Sequence, residues 1–143
     1  MNNVVDAIKP VEVVSDLATD NMAIDLNTLQ ELEKIAAGDQ LFMHRLLKNY
    51  LADSLKMLNQ ITDAVKKKHF GELKDYCHAL KGNSLSVGAL QIADSVEQLS
   101  KLSASDDLKK SQEMLNKVNK DFSKLTLAVD DYLRRPEVAS NQH

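Results

Sequence analysis

Apolar residues recur along most of the chain at the spacing of amphipathic helices. Between positions 39 and 68 they follow an i, i+3, i+4, i+7 pattern almost without interruption, which predicts a long helix with one apolar face. The same spacing predicts further helices over 71–87, 89–102 and 106–133, the last with a heptad-like seam and an N-cap at Ser105. A shorter helix over 26–37 is predicted to begin after Asp25, a favourable N-cap residue.

Each of these helices is apolar along one stripe only, so none is stable alone. Short connections between them favour antiparallel neighbours around a shared core. The sequence therefore predicts an all-α fold: an antiparallel up-down four-helix bundle, with the helix over 26–37 capping one end. Its domain would cover 24–134, with a flexible arm or linker over 1–23 and a flexible tail over 135–143. A two-chain coiled coil built on the last helix remains the alternative.

Composition narrows the class of protein. The chain of 143 residues has 4 Gly, 2 Pro and no Trp, too few turn-forming residues for a many-stranded β fold. Its net charge of −3 lacks the basic footprint of a nucleic-acid binder. No apolar stretch reaches the roughly 18 residues of a membrane span, and the N-terminus does not resemble a signal peptide. The single Cys77 cannot form an internal disulfide, which suits a reducing compartment. We expect a cytoplasmic protein without direct membrane insertion, and we expect it to be a monomer.

One histidine departs from the core pattern. At about 100° per residue, His78 lies nearly opposite the apolar stripe of its helix and is expected to face water. Gly82 follows one turn later, where a mid-helix glycine costs up to about 1 kcal/mol relative to alanine; it would remove bulk beside the imidazole. Lys81 and Lys74 flank the same spot and could reach an anion on the ring. Leu85 completes the row as an apolar contact for a docking protein.

The surroundings of His78 limit the chemistry that this residue can perform. His44, His69 and His143 have no helical i+3 or i+4 relation to it, so we expect no metal site. A convex helix face offers no second positioned group for acid–base or triad catalysis. A neutral imidazole, with a pKa of about 6.5, can instead attack a phosphoryl group presented by another protein. The sequence has neither of the two common glycine-rich nucleotide-binding motifs, so no kinase activity of its own is expected.

The residues around His78 also resemble a known family. The run 78–84 reads His-Ala-Leu-Lys-Gly-Asn-Ser and is followed by Val-Gly-Ala at 87–89 and Val-Glu at 96–97. This pattern resembles the histidine-containing phosphotransfer (HPt) domain of phosphorelays, over about 41–102. The resemblance implies a phosphoacceptor at His78, an electrostatic helper at Lys81 and clearance for a partner at Gly82. Ser84 is a further supporting candidate, which could orient His78 or bond to the backbone.

The resemblance also implies partners. They are receiver domains, which would supply the phosphorylated aspartate and Mg²⁺, and through them a sensor or hybrid histidine kinase. The chain would be a phosphoryl carrier and not an enzyme, would own no cofactor, and would be either free-standing or a module of a hybrid kinase. Docking of the receiver would use Gly82 and Leu85. A helical module that binds receivers without phosphotransfer is the alternative function.

Overall fold

Helices account for all the regular structure in the described residues. The computed structural model describes residues 23–102 and 107–134, which form five helices and no strand. In chain order they are α1 (Leu26–Ala36), α2 (Gln40–Lys67), α3 (Phe70–Ser86), α4 (Leu90–Leu102) and α5 (Leu108–Leu133). The all-α prediction is confirmed. Most of the predicted arm and all of the predicted tail lie outside the described residues, but Ala23, which was assigned to the arm, is buried.

Aspartate side chains begin three of the helices. Asp25, Asp39 and Asp107 precede α1, α2 and α5, and each carboxylate accepts a hydrogen bond from a backbone N–H of the first turn, which satisfies a donor that the helix leaves open. The distances are 3.2 Å to Thr28 N, 3.1 Å to Phe42 N and 3.1 Å to Lys110 N. The cap of α5 is therefore Asp107. The prediction of Ser105 was wrong by two residues, and Ser105 itself lies outside the described residues.

The longer helices enclose one core. α2 contacts α3, α3 contacts α4 and α4 contacts α5, and α5 also contacts α2. The seam of α5 is buried within the same chain through Leu115, Val118 and Leu125, which argues against the two-chain coiled coil. The short α1 contacts α2, and Asp25 at its start donates a backbone hydrogen bond of 2.7 Å to the carbonyl of Gly88, between α3 and α4.

A buried carboxylate ties α5 to α4. Asp121 on α5 is only 4% exposed and accepts hydrogen bonds from the Ser95 hydroxyl on α4 and, at 2.9 Å, from Lys117 Nζ one turn earlier on α5. A buried charge is tolerated when it is paired and hydrogen-bonded. Because sliding one helix along the other would break this contact, the pair fixes how α4 and α5 align.

A buried hydroxyl pair links α2 to α3. Tyr50 Oη and Ser84 Oγ share a hydrogen bond of 2.6 Å, and burial raises the pKa of Tyr50.

We expect Tyr50→Phe to lower the free energy of unfolding by about 1–2 kcal/mol, because the Ser84 hydroxyl stays buried without this partner. Urea unfolding would measure it, with the half-buried Tyr76→Phe as the control. Equal losses in the two variants would contradict a specific contribution from the pair.

Candidate functional site

His78 lies on the exposed face of α3. The opposite face of this helix is buried through Leu73, Cys77, Leu80 and Ser84, which lie at the i, i+4, i+7, i+11 positions of a single stripe. Because His78 immediately follows a residue of that stripe, its side chain is turned away from the core and is exposed. The structure thus places the imidazole where the helical pattern predicted it.

Charged side chains of α3 and α4 surround the imidazole. A shallow surface depression, here called the His78 depression, brings together Lys74, Asp75, Cys77, His78, Lys81, Glu97 and Ser100. Both predicted lysines therefore lie beside His78, where a cationic side chain can approach an anion on the ring. Nowhere in residues 23–102 and 107–134 do three or more His, Cys, Asp or Glu side chains come together as a possible metal site.

Lys81 is held by a carboxylate that the sequence did not single out as its partner. Its Nζ donates a hydrogen bond to Glu97 Oε1 on α4, while Glu97 Oε2 lies 3.6 Å from Lys101 Nζ. The hydrogen bond and the charge of Lys81 are the main causes that hold the pKa of Glu97 below its usual value. The lysine next to His78 thus already has an anionic partner.

The glycine beside His78 leaves open space. A Cβ placed on Gly82 would meet no heavy atom within 4 Å outside its own local backbone, so packing gives no reason for a glycine here. One turn away from His78 the helix surface is therefore bare backbone. Leu85 follows at i+7 from His78 and is 47% exposed, in the position expected for an apolar docking contact.

Ser84 does not belong to this exposed group. Its side chain is fully buried and bonds to Tyr50, on the face of α3 that packs against α2. The interpretation of Ser84 as a residue that orients His78 is therefore replaced by a structural one: it joins two helices. Ser84 follows Leu80 by four residues, a spacing that places it on the buried stripe of α3. Its partner, the phenol of Tyr50, comes from the neighbouring helix and could not be identified from local spacing.

A family comparison decides the class of this domain. A family model for the Hpt domain matches residues 45–135, a range that contains His78, Lys81, Gly82 and Glu97. The chain belongs to the Hpt domain family. Hpt domains are phosphoryl carriers of phosphorelays and not enzymes. The matched range also extends beyond the sequence resemblance to include α5, whose prediction depended on periodicity alone.

A solved structure shares this Hpt fold. The X-ray structure of a rice protein described as a histidine-containing phosphotransfer protein is similar with a TM-score of 0.72 and 19% sequence identity. The likeness covers 94% of this chain and 96% of the rice chain, and at this identity it concerns the fold. No curated protein sequence matches the chain. None of the helices in the described residues has the length and apolar character needed to cross a membrane.

The cysteine next to the histidine belongs to the Hpt core. Cys77 is buried, and burial raises the pKa of its thiol from 9.0 to about 12. In the unfolded chain the thiol ionises first as the pH rises above 9, so its contribution to stability is present below that pH and is lost towards pH 12.

We therefore expect the stability difference between wild type and Cys77→Ala to change with pH. The advantage of wild type should fall by roughly 1 kcal/mol per pH unit above pH 9, because the folded domain keeps the thiol protonated. Urea unfolding of both proteins between about pH 8 and pH 11 would measure this fall. A difference that stays constant over that range would contradict burial of the thiol.

Proposed function

We propose that this Hpt domain carries phosphoryl groups on His78, which accepts them from the aspartyl phosphate of one receiver domain and passes them to another. The observation that carries the proposal is the exposed imidazole of His78 beside the open backbone at Gly82, with Lys81 and Lys74 in the same depression. A receiver domain can approach this open surface closely enough to bring its phosphorylated aspartate to the ring.

The transfer itself needs one nucleophilic nitrogen. In the neutral imidazole, the lone pair of the unprotonated nitrogen forms the new N–P bond while the P–O bond to the receiver aspartate breaks. The aspartate leaves as a carboxylate, and the second ring nitrogen of His78 keeps its proton. Passing the phosphoryl group to a second receiver reverses these steps. The receiver supplies the Mg²⁺ that neutralises the charge on the phosphoryl oxygens, and the carrier needs no cofactor of its own.

The neighbouring residues assist this step in different ways. Lys81 and Lys74 are cations in the His78 depression and offset the charge that the phosphoryl group adds. Gly82 provides the clearance for the receiver, and the exposed Leu85 gives it an apolar contact. Receivers that are themselves phosphorylated by a sensor or hybrid histidine kinase would load the carrier, which acts as a monomer in the cytoplasm.

The helix contacts support an antiparallel bundle as the frame for this site. Tyr50 and Ser84 are in contact and lie at similar distances on either side of the short connection between α2 and α3, as residues of antiparallel neighbours do. Lys81 and Glu97 likewise lie at similar distances on either side of the connection between α3 and α4. We infer an up-down four-helix bundle of α2–α5, with α1 capping the end where α3 and α4 connect.

Transfer from a phosphorylated receiver tests the function. The purified chain is incubated with Mg²⁺ and a receiver domain that a small phosphodonor has phosphorylated, and intact masses of both proteins are followed. We expect the chain to gain one phosphoryl group as the receiver loses one. Binding of several receivers without any gain would overturn the proposal in favour of a docking module.

A further inference from the structure

Glu97 occupies an unusual place among the charges of the His78 depression. It is the carboxylate that contacts Lys81, the lysine three residues after His78, and it comes from α4, so its position is set by packing of two helices. The side chains of Lys81 and Glu97 are 37% and 36% exposed, which leaves the pair open to solvent on one side. The fold therefore brings the two side chains together, and their partial exposure leaves them room to change partners.

We propose that Glu97 is the resting-state counter-ion of Lys81, that it competes with a phosphoryl group on His78 for this lysine, and that it thereby sets the phosphotransfer equilibrium. The inference depends on the proposed function and names a positioning residue for it, since Glu97 acts through Lys81 and not on the transferred group. In the proposed step, the ammonium group of Lys81 exchanges one anionic partner, the Glu97 carboxylate, for another, the phosphoryl group on His78.

The geometry allows this exchange. Lys81 lies one turn from His78 on the same exposed side of α3, and its long, flexible side chain can turn from α4 towards the ring. A phosphoryl group on the imidazole brings close to two negative charges and several acceptor oxygens within its reach, a stronger partner than one carboxylate. When Lys81 turns away, Glu97 keeps a cationic neighbour in Lys101, 3.6 Å away. Glu97 therefore still has a positively charged neighbour after Lys81 has moved to the phosphoryl group, and this makes the exchange easier.

The competition lowers the stability of the phosphorylated carrier. To stabilise the phosphoryl group, Lys81 must first give up Glu97, and the carboxylate that remains in the depression repels the phosphoryl oxygens. Both effects favour the unphosphorylated form. They are suited to a carrier, because a phosphohistidine that is held too firmly would not be passed on.

The Glu97→Gln variant tests this competition directly. Glutamine keeps the size of the side chain and removes its charge, so the equilibrium between phosphorylated receiver and phosphorylated carrier should shift towards the carrier by about two- to fivefold, the range of exposed ion pairs. The matched control is Asp94→Asn, which removes a charge one turn earlier on α4, where Asp94 accepts a hydrogen bond from Gln98. Asp94→Asn should leave the equilibrium nearly unchanged. Equal shifts in the two variants would reduce the effect to net charge and overturn the inference.

A double-mutant cycle separates competition for Lys81 from simple repulsion. If Glu97 acts through the lysine, Glu97→Gln should shift the equilibrium clearly less in a Lys81→Met background than in wild type. Equal shifts in both backgrounds would overturn the inference. NMR of the lysine ammonium groups gives a second readout, in which the Lys81 signal should change on phosphorylation of wild type and already resemble that of an unpaired lysine in Glu97→Gln. Absence of phosphate on wild-type His78 would instead refute the proposed function itself.

Discussion

The His78→Gln variant is expected to lose all detectable phosphoryl acceptance while it still binds receiver domains. A glutamine amide has no nucleophilic lone pair comparable to that of imidazole, so no N–P bond can form at this position. The side chain is exposed, and exposed substitutions usually change the free energy of unfolding by less than about 0.5 kcal/mol. Intact-mass measurement after incubation with a phosphorylated receiver gives the acceptance, calorimetric titration the binding, and urea unfolding the stability.

Other histidines supply the control for this experiment. His44 on α2 and His69 before α3 are also exposed but lie outside the His78 depression. His44→Gln and His69→Gln should therefore accept phosphoryl groups as wild type does. Phosphate on His78→Gln, or its loss in either control, would contradict the assignment of His78. If His78→Gln and wild type both bind receivers and neither is phosphorylated, the docking module is the better description.

The Gly82→Glu variant is expected to slow transfer by about 100-fold, the scale of loss that a small misplacement of reacting groups can cause. The new side chain would extend into the space through which the receiver approaches and would place a negative charge near an anionic phosphoryl group. Because a Cβ at Gly82 meets nothing within 4 Å, the bundle should stay folded. Single-turnover transfer rates would measure the effect, and urea unfolding would confirm the fold.

Gly71 offers a matched control on the same helix. It too is exposed, and a Cβ there would meet no atom within 4 Å, but it lies two turns before His78. Gly71→Glu should transfer at nearly the wild-type rate.

Gly82→Ala should be more stable than wild type by about 0.5–1 kcal/mol and should be slowed less than Gly82→Glu, since a methyl group is small and uncharged. An unchanged rate in Gly82→Glu would contradict the clearance role of this glycine.

Local sequence information was sufficient for the helices and for the exposure of His78. Periodicity decides which side of a helix is buried, so the stripe through Leu73, Cys77 and Leu80 also determined that His78 faces outward. Aspartates that cap helices are local signals as well, and Asp25 and Asp39 begin the predicted helices. These features depend on residues within one or two turns of each other.

Contacts between helices could not be predicted in the same way. Lys81 and Glu97 are 16 residues apart, and Tyr50 and Ser84 are 34 residues apart. Each pair depends on how far two helices are rotated and shifted against each other, which the packing of many apolar side chains determines. For this reason the sequence assigned Ser84 to the site and gave Lys81 no carboxylate partner. The structure places Ser84 in the core and Glu97 in contact with Lys81.

Locating the phosphoryl group on the phosphorylated protein tests the central claim most directly. The chain, labelled with ¹⁵N and phosphorylated by a receiver, is examined by NMR for coupling between phosphorus and an imidazole nitrogen, and by intact mass after brief acid and alkali treatment. We expect the coupling on the His78 ring alone and a phosphate that acid removes and alkali does not. A phosphate on a carboxylate or hydroxyl group, or on another histidine, would contradict His78 as the carrier.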